Sequence, residues 1–119
     1  MNAEVKPGKI VYPYKAEEEY DLYVGRQRRW PEPLKRSFWA NPYRLEEHGG
    51  RYTLAESLYL YELRVRSTPV MLERLQEVKG KTLACWCAPK DGTPLKGSSD
   101  TGEPEICHGQ VLLRLAEDL

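Results

Sequence analysis

Apolar residues recur at the spacing of an amphipathic helix in the middle of the chain. Thr53 and Glu56 have the spacing of a capping box, in which each side chain accepts a hydrogen bond from the other residue's backbone N–H at a helix start. Together these features predict a helix over residues 53–66. Its apolar face consists of Leu54, Leu58, Tyr61 and Val65.

Two further helices are predicted by the same reasoning. Thr68 is a suitable N-cap, Pro69 stands at the first helical position, and Gly80 ends the pattern. The apolar stripe of this second helix is Leu72, Leu75 and Val78. At the end of the chain apolar residues again share one helical face, so a third helix is predicted to begin near His108. Its apolar positions are Val111, Leu112, Leu115 and Leu119.

Three short runs have the residue types of strands. Residues 9–14 (KIVYPY) and 21–26 (DLYVGR) flank an acidic stretch, 16–19 (AEEE), and are rich in β-branched and aromatic residues. They are predicted to pair as a hairpin, and Pro13 marks the first as an edge strand because proline cannot donate to the ladder. Residues 81–87 (KTLACWC) form a mostly apolar run directly after a helix stop, which is the pattern of a buried strand.

The order of these elements predicts an α/β fold in a single small domain over residues 1–119. It has at least two parallel strands, an N-terminal edge strand or hairpin with an acidic turn over residues 1–20, and about three helices. The connection from the second strand through two helices to the third is long enough for a parallel crossover. Residues 27–50 are predicted to form a long ordered loop, and residues 88–106 a polar loop insertion at the surface.

This topology predicts where a site lies. Parallel strands end at the same edge of a sheet, and open α/β sheets bind ligands along that edge. The last helix is predicted to start there as well. The edge therefore gathers Gly25, Arg26, Cys85, Cys87, Cys107 and His108.

The composition is that of an ordinary globular protein. Of the 119 residues 40% are hydrophobic and 30% are charged, and the formal net charge is zero. No global field therefore attracts nucleic acid or an anionic membrane, and such binding needs a local patch. The start of the chain, MNAEVKPGKIVY, lacks the apolar run of a signal peptide, and no apolar stretch of about 18 residues is present to span a bilayer. We expect a cytoplasmic location and no membrane partner.

The chain has three cysteines, an odd number for a disulfide framework. A reducing compartment leaves metal binding, thiol chemistry or burial. Side chains alternate along a strand, so Cys85 and Cys87 are predicted to share one face. With Cys107 and His108 they supply the four ligands of a structural zinc site, at a spacing that is irregular for zinc. The alternative for Cys85 is packing in the core as a small hydrophobic residue.

Cys107 is the candidate nucleophile and His108 the candidate general acid/base. A helix start favours anions and thiolates through its backbone N–H groups and dipole, and a neighbouring imidazole favours the thiolate further. The alternative is structural, with Cys107 capping the helix and His108 solvated in its first turn. His48, beside two glycines, is expected at the surface.

Residues 26–36 (RQRRWPEPLKR) hold five basic residues and one acidic residue. Arginine binds phosphate or carboxylate bidentately, and Trp30 and Trp39 are suited to stack on a base. A phosphate-bearing or nucleotide-like ligand is therefore expected, with nucleic acid as a further candidate partner. Arg26 is the preferred contact because it lies at the predicted strand end. The alternative is a solvated basic loop whose tryptophans anchor it to the core.

Four motifs follow one another along the chain: YVGR (23–26), SFWANPY (37–43), GKTLACWCAP (80–89) and CHGQVLLRLAEDL (107–119). In that order they resemble the uncharacterised family called domain of unknown function 4326, found in bacteria and phages, over residues 21–119. The resemblance implies a small α/β protein and no particular reaction. The connection between the two cysteine motifs is longer here than the family implies. By resemblance the motif positions are Gly25, Arg26, Asn41, Pro42, Cys85, Cys87, Cys107 and His108.

The resemblance brings Asn41 into the candidate site. Its amide offers two donors and an acceptor, which suit a base or a ribose. The alternative is that Asn41 and Pro42 simply start a turn.

Two functions of different class follow, and both leave open whether the protein is an enzyme. The first is a pocket for an anion or nucleotide-like ligand at the sheet edge, beside Cys107 and His108. Its lining is Gly25, Arg26, Trp39, Asn41 and Cys87. The alternative is a zinc-stabilised interaction module that binds a protein partner without catalysis. A third hypothesis is a redox-sensing thiol pair, Cys85 or Cys87 with Cys107.

Overall fold

The computed structural model describes residues 8–13, 20–27, 34–89, 91, 93–97, 102 and 104–118. Within them one sheet contains strands β1 (Lys9–Val11), β2 (Leu22–Tyr23), β3 (Thr82–Ala84) and β4 (Leu95–Lys96), in the order β2-β3-β1-β4. The helices are α1 (Leu54–Ser67), α2 (Pro69–Arg74) and α3 (His108–Glu117), with 3₁₀ turns at Glu46–His48 and Leu75–Glu77. The predicted α/β class is confirmed.

Strand β3 pairs in parallel with both β1 and β2. Ala84 lies opposite Val11 on one side and opposite Tyr23 on the other. All three strands therefore end together, at what we call the carboxyl edge. The predicted parallel pairing of the strand at 21–26 with the strand at 81–87 is confirmed, and α1 and α2 lie in the connection between them.

The N-terminal strand is present, but its predicted position is wrong. β1 does not pair with β2 as a hairpin, because it lies between β3 on one side and β4 on the other. Ile10 and Val11 are 0% and 1% exposed, the burial of an internal strand. Pro13 falls beyond the end of β1, so its missing N–H costs no bond of the ladder. The acidic stretch 16–19 lies outside the described residues.

Strand β4 lies within the segment predicted to be a polar loop. Leu95 and Lys96 pair antiparallel with β1, so part of 88–106 returns to the sheet as an edge strand. Two residues are too few to show alternation, and the sequence pattern therefore does not reveal this strand. Near the other end of the segment, Glu105 accepts hydrogen bonds from Arg114 of α3 at 2.9 and 3.1 Å. The segment is thus attached at both β1 and α3.

Helix α1 begins as predicted. Thr53 Oγ1 accepts a hydrogen bond from the backbone N–H of Glu56 at 3.2 Å, and Glu56 Oε1 accepts one from the N–H of Thr53 at 3.0 Å. Tyr61 and Val65 are fully buried, whereas Leu54, in the first turn, is exposed.

Helix α2 begins at Pro69 as predicted but ends at Arg74 and continues as a 3₁₀ turn. Leu72, which was predicted in its apolar stripe, is 42% exposed. Six residues give too short a period to identify the buried face. The buried face consists of Met71, Leu75 and Val78.

Helix α3 begins at His108 as predicted and packs on β1. Two glycines allow this close approach. A Cβ atom on Gly109 would lie 3.0 Å from Ile10 Cγ1, and one on Gly8 would collide with Leu113. Of the predicted apolar face, Val111, Leu112 and Leu115 are buried, and Leu119 lies outside the described residues.

Part of the predicted long loop, residues 34–50, is irregular but anchored. The Tyr61 hydroxyl donates to the Trp39 carbonyl at 2.7 Å, and Trp39 is 1% exposed. Residues 28–33 of this loop lie outside the described part of the chain. Among the described residues no helix combines the length and the apolar character needed to cross a bilayer.

Candidate functional site

The carboxyl edge brings together three segments of chain. The N–H of Val24 donates to the Ala84 carbonyl at 3.0 Å, and the N–H of Cys85 donates to the Val11 carbonyl at 3.0 Å. Backbone pairing therefore continues one residue beyond the strands on both sides of β3. This pairing holds the segment that carries Gly25 and Arg26 beside the segment that carries Cys85.

Residues 85–88 form a turn rather than the end of a strand. β3 ends at Ala84, and the N–H of Ala88 donates to the Cys85 carbonyl at 3.2 Å. The prediction that strand alternation places Cys85 and Cys87 on one face is wrong for this reason. The turn nevertheless brings their Sγ atoms to 3.2 Å.

Three sulfur atoms meet at this edge. Cys87 and Cys107 are joined by a disulfide, with Cα atoms 5.8 Å apart, and the Sγ atoms of Cys85, Cys87 and Cys107 all lie within 4.8 Å of one another. We call these three residues the sulfur cluster. Cys85 and Cys107 are 4% and 1% exposed, so Cys87 is the most accessible member.

Cys107 is the N-cap of α3. Its Sγ accepts a hydrogen bond from the N–H of Gly109 at 3.3 Å, and Oε1 of Gln110 accepts one from the N–H of Cys107 at 3.2 Å. Gln110 also binds the N–H of Ile106 at 2.7 Å and donates to the Lys96 carbonyl at 2.9 Å. The Cys107 sulfur thus lies at the positive end of the α3 dipole, and the two residues of the capping box, Cys107 and Gln110, are buried.

His108 is buried, and its imidazole binds the protein rather than the sulfur cluster. Nε2 lies 2.6 Å from the Val24 carbonyl oxygen, which can only accept, so Nε2 carries the proton. The Tyr61 ring packs against it with centroids 5.0 Å apart. Burial lowers the pKa of His108 from 6.5 to about 4; the bond to Val24 acts in the opposite sense, and the charge of Arg26 lowers the pKa further.

This placement corrects two expectations. His108 is not a solvated first-turn residue, because it is 9% exposed. It is also not the fourth ligand of a zinc site, because the cluster of candidate ligands found among the described residues contains the three cysteines without His108.

Arg26 and Asn41 contact each other. Nε and Nη2 of Arg26 donate to the Asn41 carbonyl at 3.0 and 2.9 Å. The Asn41 amide donates to Ser57 Oγ at 2.8 Å, and its oxygen accepts from the N–H of Tyr43 at 2.8 Å. The predicted turn role of Asn41 is therefore present, and its side chain attaches the irregular segment to α1.

The Tyr23 side chain leaves no room for a Cβ atom at Gly25. A Cβ atom on Gly25 would lie 2.5 Å from the Tyr23 hydroxyl. That hydroxyl donates to the Arg26 carbonyl and accepts from Trp86 Nε1 at 2.6 Å. Tyr23 and Trp86 thus connect the Arg26 segment to the cysteine turn. Sequence reasoning missed both, and the available signal was a glycine two residues after a tyrosine at a strand end.

Trp39 was predicted to bind a ligand, but its ring is 1% exposed and its Nε1 donates to Glu77 at 3.3 Å. It therefore anchors the loop to the core, as the alternative interpretation had it. Trp30, Arg28 and Arg29 lie outside the described residues, and His48 is exposed as expected.

The model of a family described as "Domain of unknown function (DUF4326)" matches residues 13–118. The chain belongs to this family. Membership of this family agrees with the order of motifs from YVGR to CHGQ. The family description names no reaction.

An uncharacterised protein of Acanthamoeba polyphaga mimivirus is 29% identical over 98 residues, which cover 80% of this chain and 65% of the viral protein. The chain thus spans somewhat less than two thirds of the length of that relative. No solved structure matches the present chain.

Proposed function

We propose that the sulfur cluster is a thiol–disulfide redox centre and that Cys87 and Cys107 are its working pair. The observation that carries the proposal is the disulfide between them at the carboxyl edge, with Cys87 the more accessible partner. In thiol–disulfide exchange one sulfur is attacked and the other leaves. An accessible sulfur paired with a sulfur at a helix start suits those two roles.

The exchange proceeds in two balanced steps with a dithiol partner. A thiolate of the partner attacks Cys87 Sγ and forms a mixed disulfide, while the electron pair of the broken bond passes to Cys107 Sγ, which takes up a proton. The second thiolate of the partner then attacks the partner's own sulfur in the mixed disulfide and releases Cys87 as a thiolate. The protein becomes a dithiol and the partner a disulfide, and the same steps run in reverse.

The N–H of Gly109 and the positive end of α3 stabilise negative charge on Cys107 Sγ. A sulfur whose thiolate is stabilised is the better leaving group, so the fold favours release of Cys107 over release of Cys87. His108 contributes no positive charge near pH 7, because its pKa is about 4. In this proposal His108 is a positioning residue that fixes the first turn of α3 on Val24.

A redox titration tests the proposal. The protein is equilibrated in mixtures of reduced and oxidised glutathione, free thiols are blocked by alkylation, and the linked fraction is measured by mass spectrometry. Wild type and Cys85→Ser should both titrate as a two-electron couple, and Cys87→Ser should lose the Cys87–Cys107 link. The proposal fails if Cys87 and Cys107 stay as thiols in every mixture, or stay linked under excess dithiothreitol.

Zinc binding is the second candidate, and the proximity of three sulfurs favours it. Thiolates within 4.8 Å of one another suit a soft cation, and a fourth position would be left to a ligand from outside the cluster. The cation would bind only the reduced form. Elemental analysis of protein prepared under reducing conditions should then give about one zinc per chain. Loss of the metal in Cys85→Ser would separate this candidate from the redox pair, which does not need Cys85.

A pocket for an anion or nucleotide-like ligand stays a proposal with weaker support. Two N–H groups of Arg26 already bind the Asn41 carbonyl, and the N–H groups of Gly109 and Gln110 bind Cys107. A ligand would have to share or displace these bonds. A rise in melting temperature with a nucleoside phosphate that is lost in Arg26→Ala would support this pocket.

A further inference from the structure

We infer that Cys85 is a third catalytic thiol, which attacks Cys87 from inside the protein and moves the disulfide from Cys87–Cys107 to Cys85–Cys87. The inference rests on the proposed redox function. It assigns a role to Cys85, the cysteine of the sulfur cluster that is not part of the Cys87–Cys107 disulfide. Its partner would be a monothiol of low molecular weight, which cannot complete an exchange by itself.

The contact between Cys85 and Cys87 is the first ground for this inference. Their Sγ atoms are 3.2 Å apart, within the separation of about 3–3.5 Å at which two atoms are placed to react. Cys85 is 4% exposed and lies among core residues, so a molecule from solvent does not reach it directly. Its route into exchange therefore runs through Cys87, the most accessible member of the cluster.

The second ground is the different support given to the two candidate leaving groups. Cys107 Sγ receives the N–H of Gly109 at a helix start, and the charge that develops when Cys107 leaves is stabilised there. Attack by Cys85 on Cys87 therefore expels Cys107 in the direction that the fold already favours.

The internal step is balanced without any outside reagent. Cys85 loses its proton, its sulfur bonds to Cys87 Sγ, and the Cys87–Cys107 bond breaks with its electron pair on Cys107, which takes up a proton. With a monothiol partner bonded to Cys87, the same attack expels the partner instead. One molecule of mixed disulfide is then converted to the Cys85–Cys87 disulfide and one free monothiol.

The experiment uses the fully reduced protein and one equivalent of 5,5′-dithiobis(2-nitrobenzoic acid). Attack by a cysteine releases one thionitrobenzoate, and resolution of the mixed disulfide by a second cysteine releases another. Both releases are followed by absorbance. Three variants isolate the partners of Cys87: Cys107→Ser keeps Cys85, Cys85→Ser keeps Cys107, and the double variant keeps neither.

We expect Cys107→Ser to release two thionitrobenzoates for each reagent molecule and the double variant to release one. A single release from Cys107→Ser, with a stable mixed disulfide on Cys87, overturns the inference. Cys85→Ser reports separately on the proposed function: two releases there support the Cys87–Cys107 pair, and one release contradicts it. The two variants therefore distinguish failure of this inference from failure of the proposed function.

Peptide mapping of the oxidised wild type gives a second reading that needs no folded variant. Trypsin cuts after Lys81, Lys90, Lys96 and Arg114, which places Cys85 and Cys87 in one peptide and Cys107 in another. A Cys85–Cys87 disulfide leaves the first peptide unlinked and lighter by two hydrogen atoms. A Cys87–Cys107 disulfide links the two peptides. Finding only linked peptides at every glutathione ratio would contradict movement of the disulfide.

Discussion

Burial of a neutral imidazole makes the fold sensitive to acid. His108 has a pKa of about 4 in the folded protein and 6.5 as its ordinary value, so between these limits the unfolded chain binds the extra proton. The contribution of His108 to the free energy of unfolding is complete above pH 6.5 and is lost as the pH falls towards 4. The loss is at most on the order of 3 kcal/mol.

The residue-level prediction is that His108→Gln flattens the pH dependence of the free energy of unfolding between these limits, measured by urea denaturation. His48 is exposed and makes a matched control, since His48→Gln should keep the wild-type slope. An unchanged slope in His108→Gln would show that other groups govern acid unfolding.

Gly25 supports a second prediction at the scale of the residue. Gly25→Ala places a methyl group against the Tyr23 ring, which two hydrogen bonds hold in position, and should lower stability by about 1–3 kcal/mol. Gly97→Ala is the control, because its Cβ atom would lie 3.8 Å from Leu113. Thermal unfolding measures both. The cost of Gly25→Ala should shrink in a Tyr23→Ala background, which removes the three side-chain atoms that the methyl group meets, and an equal cost there would contradict the clash.

Single residues also mark the limit of sequence reasoning. The positions of Gly25, Arg26, Cys85 and Cys107 at one edge follow from a parallel crossover and from a helix start, which the order of elements and the periodicity reveal. Whether Trp39 or Asn41 faces a ligand depends on contacts with Glu77 and Ser57, residues 38 and 16 positions away along the chain. No local pattern encodes such contacts.

At the scale of elements, α1 and α3 start with the same device in different surroundings. Both have a capping box, but Glu56 of α1 is exposed and Gln110 of α3 is 4% exposed. Removing Gln110 takes the partner from the N–H groups of Ile106 and Cys107 and from the Lys96 carbonyl; the bond to Cys107 is buried and the other two are partly buried.

We therefore predict that Gln110→Ala costs about 1–3 kcal/mol in the free energy of unfolding, and that Glu56→Ala costs clearly less. Chemical denaturation of the two variants beside wild type checks the order. Equal costs would mean that burial of the α3 cap has no energetic weight.

The starts of the helices were easier to predict than the pairing of the strands. Helix starts depend on a few adjacent residues, and α1 and α3 begin where the capping and periodicity patterns place them. Strand pairing depends on contacts between segments that are distant along the chain. β1 is an internal strand because β4, which lies in a segment without a strand pattern, pairs with its free side.

At the scale of the whole molecule, the disulfide joins two residues 20 positions apart. Closing a loop of this length restricts the unfolded chain, which stabilises the fold by about 3 kcal/mol in the chain-entropy model. Oxidised protein should therefore unfold at a higher urea concentration than protein in dithiothreitol. Cys107→Ser should abolish the difference, and an equal midpoint for the two wild-type forms would contradict the model.

The same connection has a consequence for a chain that is cut. A protease that cleaves once between Cys87 and Cys107 divides the polypeptide, yet the two fragments stay one covalent molecule while the sulfur–sulfur bond holds. The C-terminal fragment then carries α3, and it loses its covalent link when the Cys87–Cys107 bond is reduced or when Cys85 displaces Cys107 from it. A nick in this segment would in effect turn a single chain into a two-chain protein whose separation reports on redox conditions.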